Sequence, residues 1–580
     1  MAKGKAAMTI GLETICLNPL ATIIIMAAGE GKANVVRAAI EDSKDSTRPA
    51  SVLHGHKGSR FYLTHGAAMA LTARKAERLH DLSKDIVDWA KAHNALISAS
   101  SFDADIEQII SPPPIDYARA EAFLVEVALR NKLRLLDVQM SHIQTHFSTL
   151  SFLPDWFVDS ENLCTLKLCA DLRIKQKIVC GHRLSKMMDR TILHTAPHHD
   201  DIMLSYHAAM HSILGRPDDG WKLENLGESQ YGNKNFFVYL TSGFHSVNDR
   251  FLLNHIELAR GSSDGGHFSS LKNLVYSGDL EKNYDILMKE FYCAFVDKDI
   301  DRQKYIESVI FARALKTVWN IDTSSNDETF NALVEIIVYI ETKYLKEHKP
   351  GDSVPKEIQL LKGRMRESEV DRVWALSRMP MDRIFHLRSR FYTDDFFAPQ
   401  PTLHGDAKPV ADLIVKLQPQ FISVAFDPEG TGPDTHYKVL QIVAAGLKMT
   451  RDNSQIKSDP IIWGYRNVWF MFTPSDATIM IPGSESDLNL MHDTFMSCFT
   501  TQKNASFPSP SYEGPFSAWA NSIQREQRKN LGILIGEDWF QNHDVDAIRN
   551  SAGFVYLKAM MSSVFLSEVD DLRVKLVGNI

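Results

Sequence analysis

The strongest chemical signal in the sequence is the stretch HTAPHHDDIML at residues 194–204. It places His198, His199, Asp200 and Asp201 side by side, directly after TIL, a short apolar run that predicts a buried strand. Packing gives no reason for such a cluster, because charged groups are costly to bury without partners. A metal site and an acid–base pair are the two chemistries that would explain it, and one site can contain both.

Two further polar loops follow predicted strands, and each contributes groups able to bind a metal or move a proton. The loop after FFVYL contains Thr241, Ser242, His245 and Asp249, and the loop after FISVAF contains Asp427, Glu429, Asp434 and His436. Open α/β sheets bind ligands at the carboxyl ends of their strands, so we expect the three loops to meet. Imidazole and carboxylate groups without a thiolate suit catalytic zinc, which lowers the pKa of its bound water to about 7.

The segments around these loops predict how they are positioned. Over 191–455, strand-like runs alternate with helical patterns, which indicates an α/β, Rossmann-like domain with a largely parallel sheet. We expect a helical insertion in this domain near 250–350 and a helical linker over 86–190 before it. Residues 456–580 predict a C-terminal extension, with the strands NVWFMFT and ATIMIPG followed by helices.

Residues 1–85 predict a separate, small α/β segment. Its pattern gives a strand over Thr22–Met26 and an amphipathic helix over Asn34–Ile40. The sequence GEGK between them is a glycine-containing turn whose free N–H groups could hold a phosphate. A plain strand-to-helix turn, with Lys32 as a solvated side chain, is the alternative for this motif.

Composition narrows the class of protein. A chain of 580 residues with 44% hydrophobic and 23% charged residues is typical of a soluble, multidomain protein. A net charge of −8 gives no support for binding nucleic acid or an anionic membrane. The apolar run ATIIIMAAG is too short to cross a bilayer and favours a buried strand over a signal peptide. The six scattered cysteines without a CxxC motif indicate a reducing, cytoplasmic location and no cysteine zinc site.

The sequence PHHDD at 197–201 resembles the Pro-His-Pro-Asp-Asp signature of the PIG-L-type zinc de-N-acetylases, which act on N-acetylglucosamine-containing substrates. The resemblance covers about 190–450 and implies that His198 and Asp201 bind zinc while Asp200 is the general base. GPDTHYKVLQ matches the position of a further, downstream ligand, which implies His436. RMRESE resembles an Arg-x-x-Glu helix motif of the family, which implies that Arg366 binds substrate with the support of Glu369.

This sequence departs from the family motif at two positions. His199 stands where the family has proline, and Ile202 stands where an acidic residue is usual. Neither change removes a metal ligand, and we expect His199 to line the substrate pocket.

Alternatives remain for the individual residues. The two aspartates of the motif could cap the next helix, and His436 could be held by Asp434, with His245 as the rival metal ligand. For Arg366 the alternative is an ion pair with Glu369 on the same helix.

The first 85 residues carry a second resemblance. MTIGLETICLNPLATIIIMAAGEGKANVVRAAIEDSKDSTRPASVLHGH resembles the C-terminal third of glucosamine-6-phosphate deaminase/isomerase proteins, which implies that Lys32 binds a sugar phosphate. The catalytic residues of that family lie in the earlier two-thirds. RLLDVQMSHIQTHFSTLSFLPDWFVD and QKNASFPSPSYEGPFSAWANSIQREQ resemble the linker and tail of bacterial fusions between the deaminase and a PIG-L-like domain, of which this chain resembles an N-terminally shortened member.

The resemblances imply three functions that an experiment can separate. The first is zinc-dependent hydrolysis of the N-acetyl group of an amino sugar or an amino-sugar conjugate. The second is a glucosamine-6-phosphate deaminase-type isomerase whose missing part another chain supplies. The third is a catalytically dead sugar-phosphate-sensing module. In each case we expect a small-molecule amino-sugar partner, no nucleic acid, no membrane, and self-association into a homo-oligomer.

Overall fold

A computed structural model gives the fold of the chain. It describes residues 10–99, 110–146, 153–214, 232–261, 268–323, 325–349, 352–395, 398–427, 434–467, 470–505 and 512–577. Glu429 of the third polar loop lies outside these residues.

The N-terminal segment contains a two-stranded parallel sheet of β1 (Ile23–Ala27) and β2 (Ser59–Leu63). The strand and helix predicted here are confirmed to within a residue, because the helix covers Ala33–Glu41. Between them, Gly29 has φ of 95°, a left-handed conformation that favours glycine, and its N–H donates to Thr64 Oγ1 at 3.0 Å. Thr64, the residue directly after β2, therefore holds the GEGK turn in place.

A seven-stranded sheet forms the centre of the fold, in the order β5-β4-β3-β6-β7-β9-β8. Its strands are β3 (Thr191–Ala196), β4 (Lys234–Tyr239), β5 (Ile384–His386), β6 (Phe421–Ala425), β7 (Ile461–Tyr465), β8 (Ile479–Gly483) and β9 (Gly553–Met561). The five strands from β5 to β7 are parallel, and β9 is antiparallel to both of its neighbours. The predicted α/β class with a largely parallel sheet is confirmed.

Helices make up most of the rest of the described chain. Before β3 they are α1 (Leu12–Cys16), α2 (Ala33–Glu41), α3 (His65–Ala68), α4 (Thr72–His80), α5 (Asp85–Ala99), α6 (Ile115–Asn131), α7 (Met140–His146), α8 (Asp155–Val158) and α9 (Ser160–Arg183). Between β3 and β5 they are α10 (Asp201–Tyr206), α11 (Met210–Leu214), α12 (Asp249–Arg260), α13 (Ser269–Tyr276), α14 (Tyr284–Val296), α15 (Ile300–Val318), α16 (Asn326–Tyr339) and α17 (Lys356–Leu376). After β5 they are α18 (Lys408–Leu417), α19 (Asp434–Asp452), α20 (Glu485–Cys498), α21 (Phe516–Ile535), α22 (Glu537–Gln541), α23 (Asp546–Arg549) and α24 (Ser562–Val577). None of the described helices is both long and apolar enough to cross a membrane.

Both faces of the central sheet are buried under helices. Successive strand residues such as Ile192 and Leu193 belong to two different hydrophobic clusters, because side chains alternate between the faces of a strand. Helices α12 to α17 cover the face of Ile192, and α5, α6, α9, α18 and α19 cover the face of Leu193. The helices of the predicted linker and insertion thus form the outer layers that hold the sheet.

The structure corrects the strand prediction for the C-terminal segment. NVWFMFT was predicted to be a strand, but the strand β7 lies just before it, and its described residues form no strand. The strand β9 falls where helices were predicted. Its residues are buried on both faces, and such a strand reads as a continuous apolar run without the period of two. Strands β7, β8 and β9 all belong to the same sheet as β3 to β6.

A buried ion cluster connects α6, α9 and the loop before β8. Glu121 accepts hydrogen bonds from Arg173 Nε at 2.8 Å and from Lys177 Nζ at 3.0 Å. Lys177 also donates to the carbonyl oxygens of Pro474 and Ser475. Burial opposes ionisation of Glu121, but the two cations outweigh it and lower the pKa of that carboxyl.

We expect Glu121→Gln to lower the free energy of unfolding by roughly 3–5 kcal/mol at pH 7, because it leaves two buried cations without their anion. The pKa of Glu121 is lower in the folded state, so its stabilisation is present above the unfolded pKa and is lost as pH falls through the folded value. The gap between wild type and variant should therefore narrow in acid. Urea unfolding at pH 7 and pH 3 measures this difference in the free energy of unfolding. Glu77→Ala is the control, because Glu77 forms an exposed pair with Arg74 whose loss should cost below about 1 kcal/mol.

Candidate metal site

The candidate site lies where the order of the sheet reverses. The chain runs from β3 outward to β4 and β5, then returns to add β6 and β7 on the other side of β3. The carboxyl ends of β3 and β6 therefore diverge at a crevice, which is where open α/β sheets bind ligands. The loop after β3 carries the HHDD motif, and the segment after β6 carries Asp427 and His436. Topology thus brings together residues more than 200 positions apart.

Three side chains in this crevice have the separations of metal ligands. His198 Nδ1 lies 3.1 Å from His436 Nε2 and 3.5 Å from the nearer carboxylate oxygen of Asp201. His436 Nε2 lies 3.4 Å from Asp201 Oδ1. Ligand bonds of 2.0–2.2 Å in a tetrahedron place neighbouring ligand atoms about 3.3–3.6 Å apart. The two rings face different oxygens of Asp201, and the three side chains could together hold a metal ion.

The ligands are held by further polar groups. His436 Nδ1 lies 2.6 Å from Asp427 Oδ2, a carboxylate–histidine pair that fixes which ring nitrogen faces the crevice. Asn467 donates its side-chain N–H to Asp201 Oδ1 at 2.9 Å and its backbone N–H to Asp427 Oδ1 at 3.0 Å. Burial opposes protonation of His436, but the carboxylates of Asp201 and Asp427 outweigh it and raise its pKa to about 9. The carboxylates around His436 thus stabilise a positive charge at this position.

Asp200 stands beside the triad without joining it. Its Oδ1 forms an ion pair with Arg366 Nη2 at 3.2 Å, and its Oδ2 accepts a hydrogen bond from Gln502 Nε2 at 2.8 Å. Burial raises the pKa of this carboxyl, but Arg366, His198 and Gln502 together hold it below its usual value. Asp200 is therefore a carboxylate kept ionised and held by two side chains from distant parts of the chain.

A cavity of about 530 Å³ opens onto these groups. Its walls include the three candidate ligands and Asp200, together with His245, Ser246, Tyr392, Thr393, Lys438, Asn467 and Gln502. The ring of Tyr392 meets the ring of His198 edge-on, with centroids 5.8 Å apart. The three candidate ligands and Asp200 therefore line one and the same cavity.

The other predicted residues lie elsewhere. Arg366 was predicted to bind substrate, but its side chain is fully buried and contacts both Asp200 and Glu369, so the predicted pair on one helix exists as well. His199 is also fully buried, packed against the rings of both Tyr239 and His386, and is absent from the cavity wall. Arg366 therefore contacts the HHDD motif through Asp200, and His199 packs the motif against neighbouring rings.

Two more predicted side chains are separate from the triad. Lys32 is exposed in the short turn Glu30–Lys32 and does not line the cavity. His245, the rival ligand, lies on the cavity wall with 45% of its side chain exposed, and its nearest carboxylate is Asp394 at 3.8 Å. Asp434, considered as the partner of His436, instead forms an ion pair with Lys438.

Sequence reasoning missed Asn467, Gln502 and Tyr392. Asn467 follows β7 by two residues, so the rule that ligands gather at the carboxyl ends of strands would have found it had β7 been placed correctly. Gln502 follows α20 and Tyr392 follows β5, where no motif distinguishes them.

We expect Asn467→Ala to weaken metal binding roughly 10–100-fold, the usual cost of losing an outer partner of a metal site. The substitution removes the side-chain donor to Asp201 but keeps the backbone N–H that Asp427 accepts. Titration with a competing chelator measures the affinity. Asn453→Ala, at the exposed end of α19, is the control, and an equal loss in both variants would contradict the assigned role of Asn467.

Comparison with known proteins gives one partial similarity. The chain is 25% identical over 189 residues to a protein of Bacteroides thetaiotaomicron described as a "putative glucosamine-6-phosphate deaminase-like protein". The match covers 31% of this chain and only 28% of that protein. No protein-family model matches the chain. The resemblance of PHHDD to the PIG-L-type enzymes therefore stays a prediction from the motif.

Proposed function

We propose that this chain is a zinc-dependent amidohydrolase that removes the N-acetyl group of an amino sugar or an amino-sugar conjugate. The observation that carries the proposal is the set of three candidate ligand side chains whose facing atoms lie 3.1–3.5 Å apart, with Asp200 beside them on one open cavity. Two imidazoles and one carboxylate leave a fourth position free, which is the pattern of catalytic zinc. The scattered free cysteines fit a cytoplasmic setting.

Zinc bound by His198, Asp201 and His436 would supply a water activated near neutral pH and a Lewis acid for the amide carbonyl. Asp200 accepts the proton of the attacking water, because its carboxylate is kept ionised by Arg366 and held in place by Gln502. The same carboxyl then returns that proton to the leaving amine, which releases acetate and a free amino sugar. Tyr392, on the wall of the cavity, can donate its hydroxyl to the carbonyl oxygen.

The cavity fits a sugar better than a long apolar chain. Hydroxyl, imidazole and ammonium groups of Ser246, Thr393, His245 and Lys438 line it, and these can bond to sugar hydroxyls. The burial of Arg366 and its ion pair with Asp200 support a role in positioning Asp200 rather than in contacting substrate.

A second candidate is a deaminase-type activity on an amino-sugar phosphate, and the partial similarity to the deaminase-like protein supports it. A non-enzymatic sensing module is the third. The two enzymes differ in product, since amide hydrolysis releases acetate and deamination releases ammonia.

The test is to measure the zinc content of the purified chain and to assay acetate and ammonia from N-acetylglucosamine, N-acetylglucosamine conjugates and glucosamine 6-phosphate. One zinc per chain with release of acetate equal to the free amine formed supports the proposal. Ammonia from glucosamine 6-phosphate without acetate would favour the second candidate. Bound zinc with neither product would favour the third.

A further inference from the structure

A second cavity lies behind the candidate active site. It has a volume of about 340 Å³, within the range of small-molecule pockets. Arginines from three different elements line it, Arg313 on α15, Arg364 on α17 and Arg388 just after β5. It shares no lining residue with the cavity of the metal site. We call it the rear cavity.

The acidic groups of the rear cavity are already engaged. Glu367 accepts hydrogen bonds from Arg388 Nη2 at 2.8 Å and from Arg364 Nη1 at 3.2 Å. Asp371 accepts one from the hydroxyl of Tyr284 at 2.8 Å and lies 3.0 Å from His386 Nε2. These two carboxylates therefore hold cations and donors in place.

The charge that remains in the rear cavity is positive. One carboxylate, Glu367, faces two guanidinium groups, which leaves an excess of one positive charge. Arg313 adds a second, because its Nη1 donates to the backbone carbonyl of Lys282 and no carboxylate of the described chain forms an ion pair with it. Asp371, 3.0 Å from His386 Nε2, offsets one of these charges, so the three arginines exceed the two carboxylates by one. An anion entering the cavity meets a net positive field with forked donors.

Arg388 is held in an unusual backbone conformation. Its φ is 53°, in the left-handed region that non-glycine residues adopt only at an energetic cost. Strain of this kind persists where surrounding contacts impose it and is frequent at ligand sites. The side chain of Arg388 also donates two hydrogen bonds to Glu367 at the wall of the rear cavity.

We propose that the rear cavity binds a small molecule through a phosphoryl group. Guanidinium forks match the oxygens of a phosphoryl group in pairs, and the net positive charge of the cavity suits an anion. The ligand would sit against α17, whose Arg366 and Glu369 project to the other side and contact Asp200 and Thr501. The proposal does not depend on the chemistry of the metal site.

The test is isothermal titration of the full chain with inorganic phosphate and, separately, with glucosamine 6-phosphate, against chloride at matched ionic strength. Arg313→Gln should weaken binding of both roughly tenfold or more, as expected for the loss of one charge-assisted hydrogen-bond donor. Arg302→Gln is the matched control, since Arg302 lies on the same helix, pairs with Glu290 and is not on the cavity wall. If Arg313→Gln fails to fold, the half-exposed Arg364→Gln replaces it.

The outcomes decide the proposal and its ligand. Tighter binding of glucosamine 6-phosphate than of inorganic phosphate identifies a phosphorylated metabolite, and the reverse identifies free phosphate. No binding of either at millimolar concentration overturns the proposal. So does binding that survives Arg313→Gln and Arg364→Gln but is lost on His436→Ala, because the phosphate would then lie at the metal site.

Discussion

Asp200→Asn should reduce acetate release by roughly 10²–10⁴-fold while the metal content stays that of the wild type. The substitution keeps the shape of the side chain and its place beside Gln502, but removes the negative charge that accepts the proton of water. It does not alter a candidate ligand, since the triad consists of His198, Asp201 and His436. Steady-state rates of acetate release, with elemental analysis of the same preparations, measure both effects.

Asp434→Asn is the matched control for this substitution. Asp434 is an acidic residue on the wall of the same cavity, but its side chain is 70% exposed and its partner is Lys438. We expect its rate of acetate release to stay within a few-fold of the wild type. An unchanged rate in Asp200→Asn, or an equal loss in both variants, would contradict the role of Asp200 as base. Loss of metal from Asp200→Asn would instead show that this carboxylate is a ligand.

The strands that could be predicted are apolar runs that end abruptly at polar residues. TIL, FFVYL and FISVAF are apolar runs ended by polar loops, and all three became strands β3, β4 and β6 of the parallel sheet. β9 was missed because an antiparallel strand with helices on both faces has no alternation to distinguish it from a helix. β5 is only three residues long, too short to form a pattern.

The meeting of the three candidate ligands with Asp200 could be predicted from the sequence, but the contacts that support them could not. Residues that follow strands of one sheet meet at one edge, so His198, Asp201 and His436 could be placed together without knowing the distances between them. The partners of those residues depend on packing that no local pattern records. Arg366 reaches Asp200 from α17, and Gln502 reaches it from a turn 302 positions away along the chain. Whether a motif arginine faces substrate or a carboxylate is decided by this tertiary packing.

His436→Ala should weaken zinc binding by at least about 100-fold and abolish acetate release, because it removes one of three ligands. His436 is buried, its Nε2 lies 3.1 Å from His198 Nδ1, and Asp427 orients its ring. Inductively coupled plasma mass spectrometry and titration with a competing chelator measure the metal. Because a buried side chain is truncated, His436→Gln is measured beside it, with circular dichroism to confirm that both variants fold.

His245→Ala tests whether the rival histidine, rather than His436, binds the metal. His245 lines the cavity and is a histidine within reach of substrate, but it is outside the triad and 45% exposed. If the triad is the metal site, His245→Ala keeps its zinc, and any loss of activity appears in the substrate concentration needed for half-maximal rate. Zinc lost from His245→Ala and kept by His436→Ala would move the metal toward the loop after β4. His436 would then not be a metal ligand, although its Nε2 lies 3.1 Å from His198 Nδ1.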